Sequence, residues 1–151
     1  MDITTTLATQ ADVPELLSMM EEFNRFERIP WSRETGEAPL RVLLGDRDLG
    51  VVGLLREAGA TIGYFVVTFG YDLEWNGRDG FLTELFLVAD RRAQGRGPSL
   101  MAEVERTARE HGARALHLMV RTDNAPARRL YESQGYTSPK RIFMTKVMTP
   151  A

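Results

Sequence analysis

The sequence predicts one mixed α/β (α+β) domain over residues 1–151, and three observations carry that expectation. Apolar runs of strand length recur at 50–55, 60–69 and 81–88, separated by turn residues. Beyond Val88 the period changes, and helical patterns at 98–111 and 125–133 alternate with short apolar runs at 115–120 and 142–147. Strand–helix–strand order needs a crossover, and so implies a parallel pairing in this half.

Taken in order, residues 3–8 read as a first strand, although threonines only tolerate that state. Asp12 stands three residues before Glu15 in the manner of a capping box, with Pro14 in the first turn. Leu16, Leu17, Met20 and Phe23 follow at helical spacing. Pro30, Trp31, Gly36 and Pro39 interrupt the next stretch, which reads as a loop with a short helix at 39–44. The runs at 50–55 and 60–69 flank Glu57-Ala58-Gly59 and fit a hairpin, with Tyr64 and Phe65 as core. A polar loop at 72–80 leads into the third strand of an antiparallel meander, 81–88. Gly95 and Gly97 open the helix at 98–111, Gly112 closes it, and Gly135 ends the helix at 125–133.

Composition narrows the function. A chain of 151 residues with 43% hydrophobic and 26% charged residues can bury its own core. The absence of cysteine excludes disulfides, thiolate metal ligands and a cysteine nucleophile. A net charge of −2 argues against a nucleic-acid partner. Met1-Asp2-Ile3-Thr4 lacks the look of a signal peptide, and no apolar stretch nears the ~20 residues of a membrane span, so the expectation is a cytoplasmic protein. His111 and His117 sit outside any metal-spacing motif and read as structural, so no metal is expected.

The informative stretch is Leu85 to Leu100, a strand that enters a glycine-bearing turn and opens directly into a helix. Helix N-termini present unpaired N–H groups and a positive dipole end, which suits a phosphate. Gly95 and Gly97 let backbone approach such an anion, and Arg91, Arg92 and Arg96 add charge. A P-loop needs a Gly-Lys pair that is absent, and a dinucleotide fingerprint needs glycine where Leu100 stands.

Arg92-Ala93-Gln94-Gly95-Arg96-Gly97 resembles the Arg/Gln-x-x-Gly-x-Gly/Ala signature of the GNAT superfamily of N-acetyltransferases. The stretch from Asn124 to Tyr136 resembles that superfamily's second motif, Asn-x-x-Ala-x-x-Leu-Tyr-Glu-x-x-Gly-Phe/Tyr. The likeness is good over residues 50–147 and looser before them. It implies a twisted mixed sheet of about six to seven strands flanked by about four helices, with splayed fourth and fifth strands. It also implies acetyl-CoA as co-substrate. Backbone amides from Gln94 through Gly95, Arg96 and Gly97 to Ser99 would cradle its pyrophosphate, helped by Arg92. Pro98, having no N–H, removes one donor.

Further roles follow from the same likeness. Phe86, Leu87 and Val88 would bond the pantetheine arm, with an N–H near Leu87 polarising the thioester. Asn124, Ala127 and Tyr131 of the second motif would also contact the cofactor, and Tyr131 would be the acid that protonates the leaving thiolate. Glu84 is the candidate base. A carboxylate within an apolar strand needs solvent or a partner, so its alternative role is structural, opposite an arginine such as Arg78 or Arg121. Strand alternation puts Glu84, Phe86 and Val88 on one face and Thr83, Leu85 and Leu87 on the other.

The acceptor is expected to be a primary amine, a small molecule rather than a protein. Tyr71, Asp72, Glu74, Trp75 and Asp79, with Glu22, Glu27 and Trp31, would suit a cationic one. Alternatives are an acyl-CoA sensor or an interaction module with the same fold and no transfer. A homodimer engaging the strand at 142–147 stays open.

Overall fold

The computed structural model describes residues 2–149. The chain forms two compact units, one running to Met119 and the other starting at Val120.

The first unit is built on a five-stranded sheet: β1 (Thr4–Leu7), β2 (Gly50–Glu57), β3 (Ala60–Asp72), β4 (Gly77–Leu87) and β5 (Leu116–Leu118). Spatial order follows chain order, with β1 to β4 antiparallel and β4–β5 parallel, as the strand–helix–strand pattern requires. Helices α1 (Val13–Glu27), α2 (Arg33–Gly45) and α3 (Gly97–Glu110) complete the unit.

Alternation along the strands makes two cores. One face buries Val52, Leu54, Tyr64, Val66 and Phe86 under Val13, Leu16, Leu17, Met19 and Met20 of α1 and Leu40 of α2. The intervening residues Val51, Leu55, Phe65 and Val67 are buried on the other face, where α3 packs on β2 and β3 and buries Leu100, Met101, Val104 and Ala108. Ala108 and Arg109 lie in the last turn of α3, which ends in a Schellman motif. Gly112 takes φ +87° and donates to Arg109, and Ala113 donates to Ala108, so the expected glycine cap is present.

Several elements differ from the sequence expectation. The box before α1 is formed by Thr9 and Asp12, the Thr9 N–H donating to the Asp12 carboxylate at 2.7 Å, so Asp12 caps a 3-10 turn rather than pairing with Glu15. Helix α2 is twice the expected length, because Ser32 caps it by accepting from the Thr35 N–H and Trp31 packs on Gly36. The polar segment 72–80 is mostly strand: Gly70 faces Asp79 and Tyr71 faces Arg78, and a 3-10 turn at Leu73–Trp75 closes the hairpin. That hairpin projects beyond β2, whose register with β3 ends at Gly50–Thr68, so it has no core face to demand apolar alternation.

The second unit contains α4 (Ala125–Ser133). Asn124 caps it by accepting from the Ala127 N–H, and Pro126 sits in the first turn. Gly135 at φ +90° and Tyr136 close a second Schellman motif, Tyr136 donating to Tyr131 at 3.0 Å. Residues 142–147 lie in no strand, which leaves five strands and four α-helices among the described residues where six to seven strands were expected. Apolar patterning shows what a strand would bury; a strand is defined by backbone pairing, and the segment takes part in no ladder among the described residues.

Candidate active site

The site begins where β4 leaves β5. Their pairing runs through Gly80–Leu116, Phe81–His117 and Leu82–Leu118, then stops, while β4 continues to Leu87. At the same point β4 carries a bulge against β3: Leu82 faces Val67 and Glu84 faces Val66, with Thr83 the extra residue. A bulge bends a strand and re-aims its side chains. Leu82 and Glu84, two residues apart, therefore lie on opposite faces, which simple alternation does not foresee.

Beyond the bulge Glu84 and Phe86 share the α1 face with Tyr64, as expected for the first two. The Val88 N–H donates to Ile62 on β3 at 2.9 Å, so Val88 has no amide to spare for a ligand. Backbone groups alternate sides along a strand, so Leu87 turns its N–H toward the edge that β5 leaves open. Its carbonyl, on that same edge, accepts from Arg92 Nε at 2.7 Å.

Glu84 is half-buried, and its partner is neither expected arginine. Tyr64 Oη donates to Glu84 Oε1 at 2.9 Å, while Arg78 bonds Asp48 and the His111 carbonyl and Arg121 bonds Asp123. Burial pushes the Glu84 carboxyl up from the ordinary glutamate value, and the Tyr64 hydrogen bond opposes that rise. Burial, and then the adjacent Glu84 charge, hold the Tyr64 phenol well above its usual range. Tyr64 is 0% exposed, so its role as core stands, but its hydroxyl also belongs to the site. Only a contact across 20 residues reveals this, and no local spacing could.

After β4 a 3-10 turn at Ala89–Arg91 leads into the glycine turn. Ala93 at φ +55° and Gly95 at φ +69° are both left-handed, which coils the backbone ahead of α3. The N–H groups of Gln94, Gly95, Arg96, Gly97 and Ser99 find no acceptor among the described residues, whereas Leu100 donates to the Arg96 carbonyl. Several unpaired amides at a helix start suit a phosphate group, so this turn fits the pyrophosphate that the resemblance implies.

Each arginine of the turn also meets groups of the protein itself. Arg96 binds Glu57 through Nε at 3.1 Å and Nη2 at 3.0 Å, and Arg91 reaches the same carboxylate at 3.0 Å. Arg96 also bonds Gln94, whose amide nitrogen donates to the Asp90 carbonyl. Arg92 lies over the Phe86 and Phe26 rings at 5.2 and 5.5 Å. Glu57, read in the sequence only as a residue of the turn between two strands, is the last residue of β2 and ties it to the start of α3. It is 5% exposed, and the Arg96 hydrogen bonds hold its carboxyl below the ordinary value, against the opposing effect of burial.

In the second unit, Asn124 and Ala127 form the cap of α4, and Tyr131 meets Tyr136 edge-on at 6.0 Å between ring centres. Elsewhere in the first unit, His117 bonds Asp79 at 3.0 Å and His111 stacks on Phe69.

Comparison with known proteins agrees with this geometry. An integron cassette protein from the mobile metagenome of Cole Harbour Salt Marsh is 26% identical, with a TM-score of 0.83 over 98% of this chain and 92% of that one. An aminoglycoside N-acetyltransferase solved in complex with CoA shares the fold at TM-score 0.80 and 14% identity, covering 97% and 95% of the two chains. A ribosomal-protein-alanine N-acetyltransferase from Brucella melitensis biovar Abortus 2308 does so at TM-score 0.71 and 16% identity, covering 96% and 99%. Residues 16–136 match the sequence profile of one family, and the chain belongs to it: the acetyltransferase (GNAT) family.

Proposed function

We propose that this chain acts as one functional domain that transfers the acetyl group of acetyl-CoA to a primary amine, by direct attack on the thioester. The observation that carries the reading is the splay of β4 from β5. It exposes the Leu87 edge between the unpaired amides at 94–99 and the Glu84 carboxylate.

Acetyl-CoA supplies the activated carbonyl and a thiolate leaving group. The turn amides of Gln94, Gly95, Arg96, Gly97 and Ser99 hold its phosphates, and the edge at Leu87 holds its arm. The Leu87 N–H donates to the carbonyl oxygen as negative charge grows on it, a contact stronger in the transition state than before it. Glu84 accepts a proton from the attacking amine, and a carboxyl raised by burial is suited to that work near neutral pH. Tyr131 returns a proton to the departing thiolate, an assignment supported by the motif from Asn124 to Tyr136. The amine nitrogen gains the acyl bond as the carbon–sulfur bond breaks.

Acidic and aromatic residues at 71–79 suggest a small cationic acceptor by their sequence. Register sets this hairpin tip at the far end of β4 from Glu84, so they would act on the approach of a cation rather than at the reacting nitrogen. Thiol release from acetyl-CoA, measured across polyamines, aminoglycosides, amino acids and lysine peptides, tests the proposal. Turnover is expected with at least one small amine, and Glu84→Gln is expected to lower its kcat/KM by about 10²–10⁴-fold. Coenzyme A binding without release from any amine would favour an acyl-CoA sensor instead.

A further inference from the structure

Resting on the proposed role of Glu84, we propose that Tyr64 is a positioning residue that fixes one oxygen of the Glu84 carboxylate and leaves the other to receive the amine proton. Tyr64 Oη holds Glu84 Oε1 at 2.9 Å, and Oε2 has no partner among the described residues. The phenol is itself immobile. Its ring is 0% exposed, meets Phe86 at 5.8 Å and Phe23 of α1 edge-on at 6.4 Å, and sits opposite Phe86 in the β3–β4 register. A carboxylate gripped by a rigid donor loses the rotation that would otherwise average its reach toward a substrate. The Thr83 bulge delivers Glu84 to this donor, since without the extra residue the strand would carry it to the opposite face.

Few other charges surround the pair. The inward side of α1 is Leu16, Leu17, Met20, Phe23 and Asn24, and its carboxylates Glu15, Glu21 and Glu22 are exposed, with Glu27 half-buried at the helix end. Arg92 lies across the Phe86 ring, and His117 of β5 is held by Asp79. Tyr64 is accordingly the group whose removal the carboxyl should feel most.

The test is a direct titration of full-length protein carrying ¹³C-labelled glutamate, with the Glu84 carboxyl signal assigned by its loss in Glu84→Gln. Tyr64→Phe removes one hydroxyl and keeps the ring. The Glu84 midpoint is expected to rise by about one to two pH units in that variant, because the hydrogen bond favours the charged form. An unchanged midpoint in folded Tyr64→Phe would overturn the proposal. Should the variant not fold, the Tyr64 ¹³Cζ resonance of the wild type serves: it is expected to inflect at the Glu84 midpoint, and a flat signal would overturn the proposal equally. Neither readout needs an acceptor. Failure of the base assignment appears separately, as undiminished transfer by Glu84→Gln.

Discussion

Two carboxylates stand apart at the scale of single residues, because their surroundings push them in opposite directions. Glu84 is raised by burial, whereas Glu57 is lowered by hydrogen bonds from Arg96. A carboxyl that titrates lower in the folded chain than in the unfolded one adds stability above the ordinary glutamate value. That stability is lost as pH falls through the folded value. Glu57→Gln is therefore expected to lower Tm at pH 7, with the difference from wild type shrinking as pH is brought below about 4.5. Thermal unfolding at a series of pH values checks it, and a difference independent of pH would contradict it. The glycine turn and Glu84 were legible in the sequence because motif spacing and an acid within an apolar strand are local signals. Tyr64 and Glu57 were not legible as site residues, since each acts through a partner 20 or more positions away.

Among the elements, the hairpins show how backbone geometry and side-chain choice cooperate or conflict. The β2–β3 turn places Ala58 at φ +49° and Gly59 at φ +82°, a pair of left-handed residues that asparagine–glycine fills best. Alanine there carries a Cβ penalty, so Ala58→Asn is expected to stabilise the protein by about 0.5–1 kcal/mol, read as a rise in denaturant midpoint at unchanged slope. A lower midpoint would count against this reading of the turn. The antiparallel meander and the parallel β4–β5 crossover were legible from apolar periodicity and alternation of element types, whereas the pairing of β1 with β2 was not. The Thr83 bulge was not, because a one-residue slip leaves composition unchanged and shows only in the pairing of β3 with β4. Residues 142–147 show the converse: an apolar pattern of strand type that forms no strand among the described residues.

At the scale of the molecule, a sheet that opens between β4 and β5 leads into a helix start with unpaired amides, both within the unit ending at Met119. No helix among the described residues is long and apolar enough to cross a membrane. Family membership makes acetyl-CoA the co-substrate to test, and the amides at 94–99 make a firm prediction about how it is held. The most direct measurement is thermal unfolding of wild type and Gly97→Glu with coenzyme A, acetyl-CoA and NAD⁺ in parallel. A ligand at 100 times its Kd stabilises by about 2.7 kcal/mol, or about 4 °C or more in Tm for a chain of this size. That shift is expected for wild type with coenzyme A and acetyl-CoA, none with NAD⁺, and none in Gly97→Glu, which sets a carboxylate against the phosphates. No shift in the wild type, or an equal shift in a folded Gly97→Glu, would contradict that expectation.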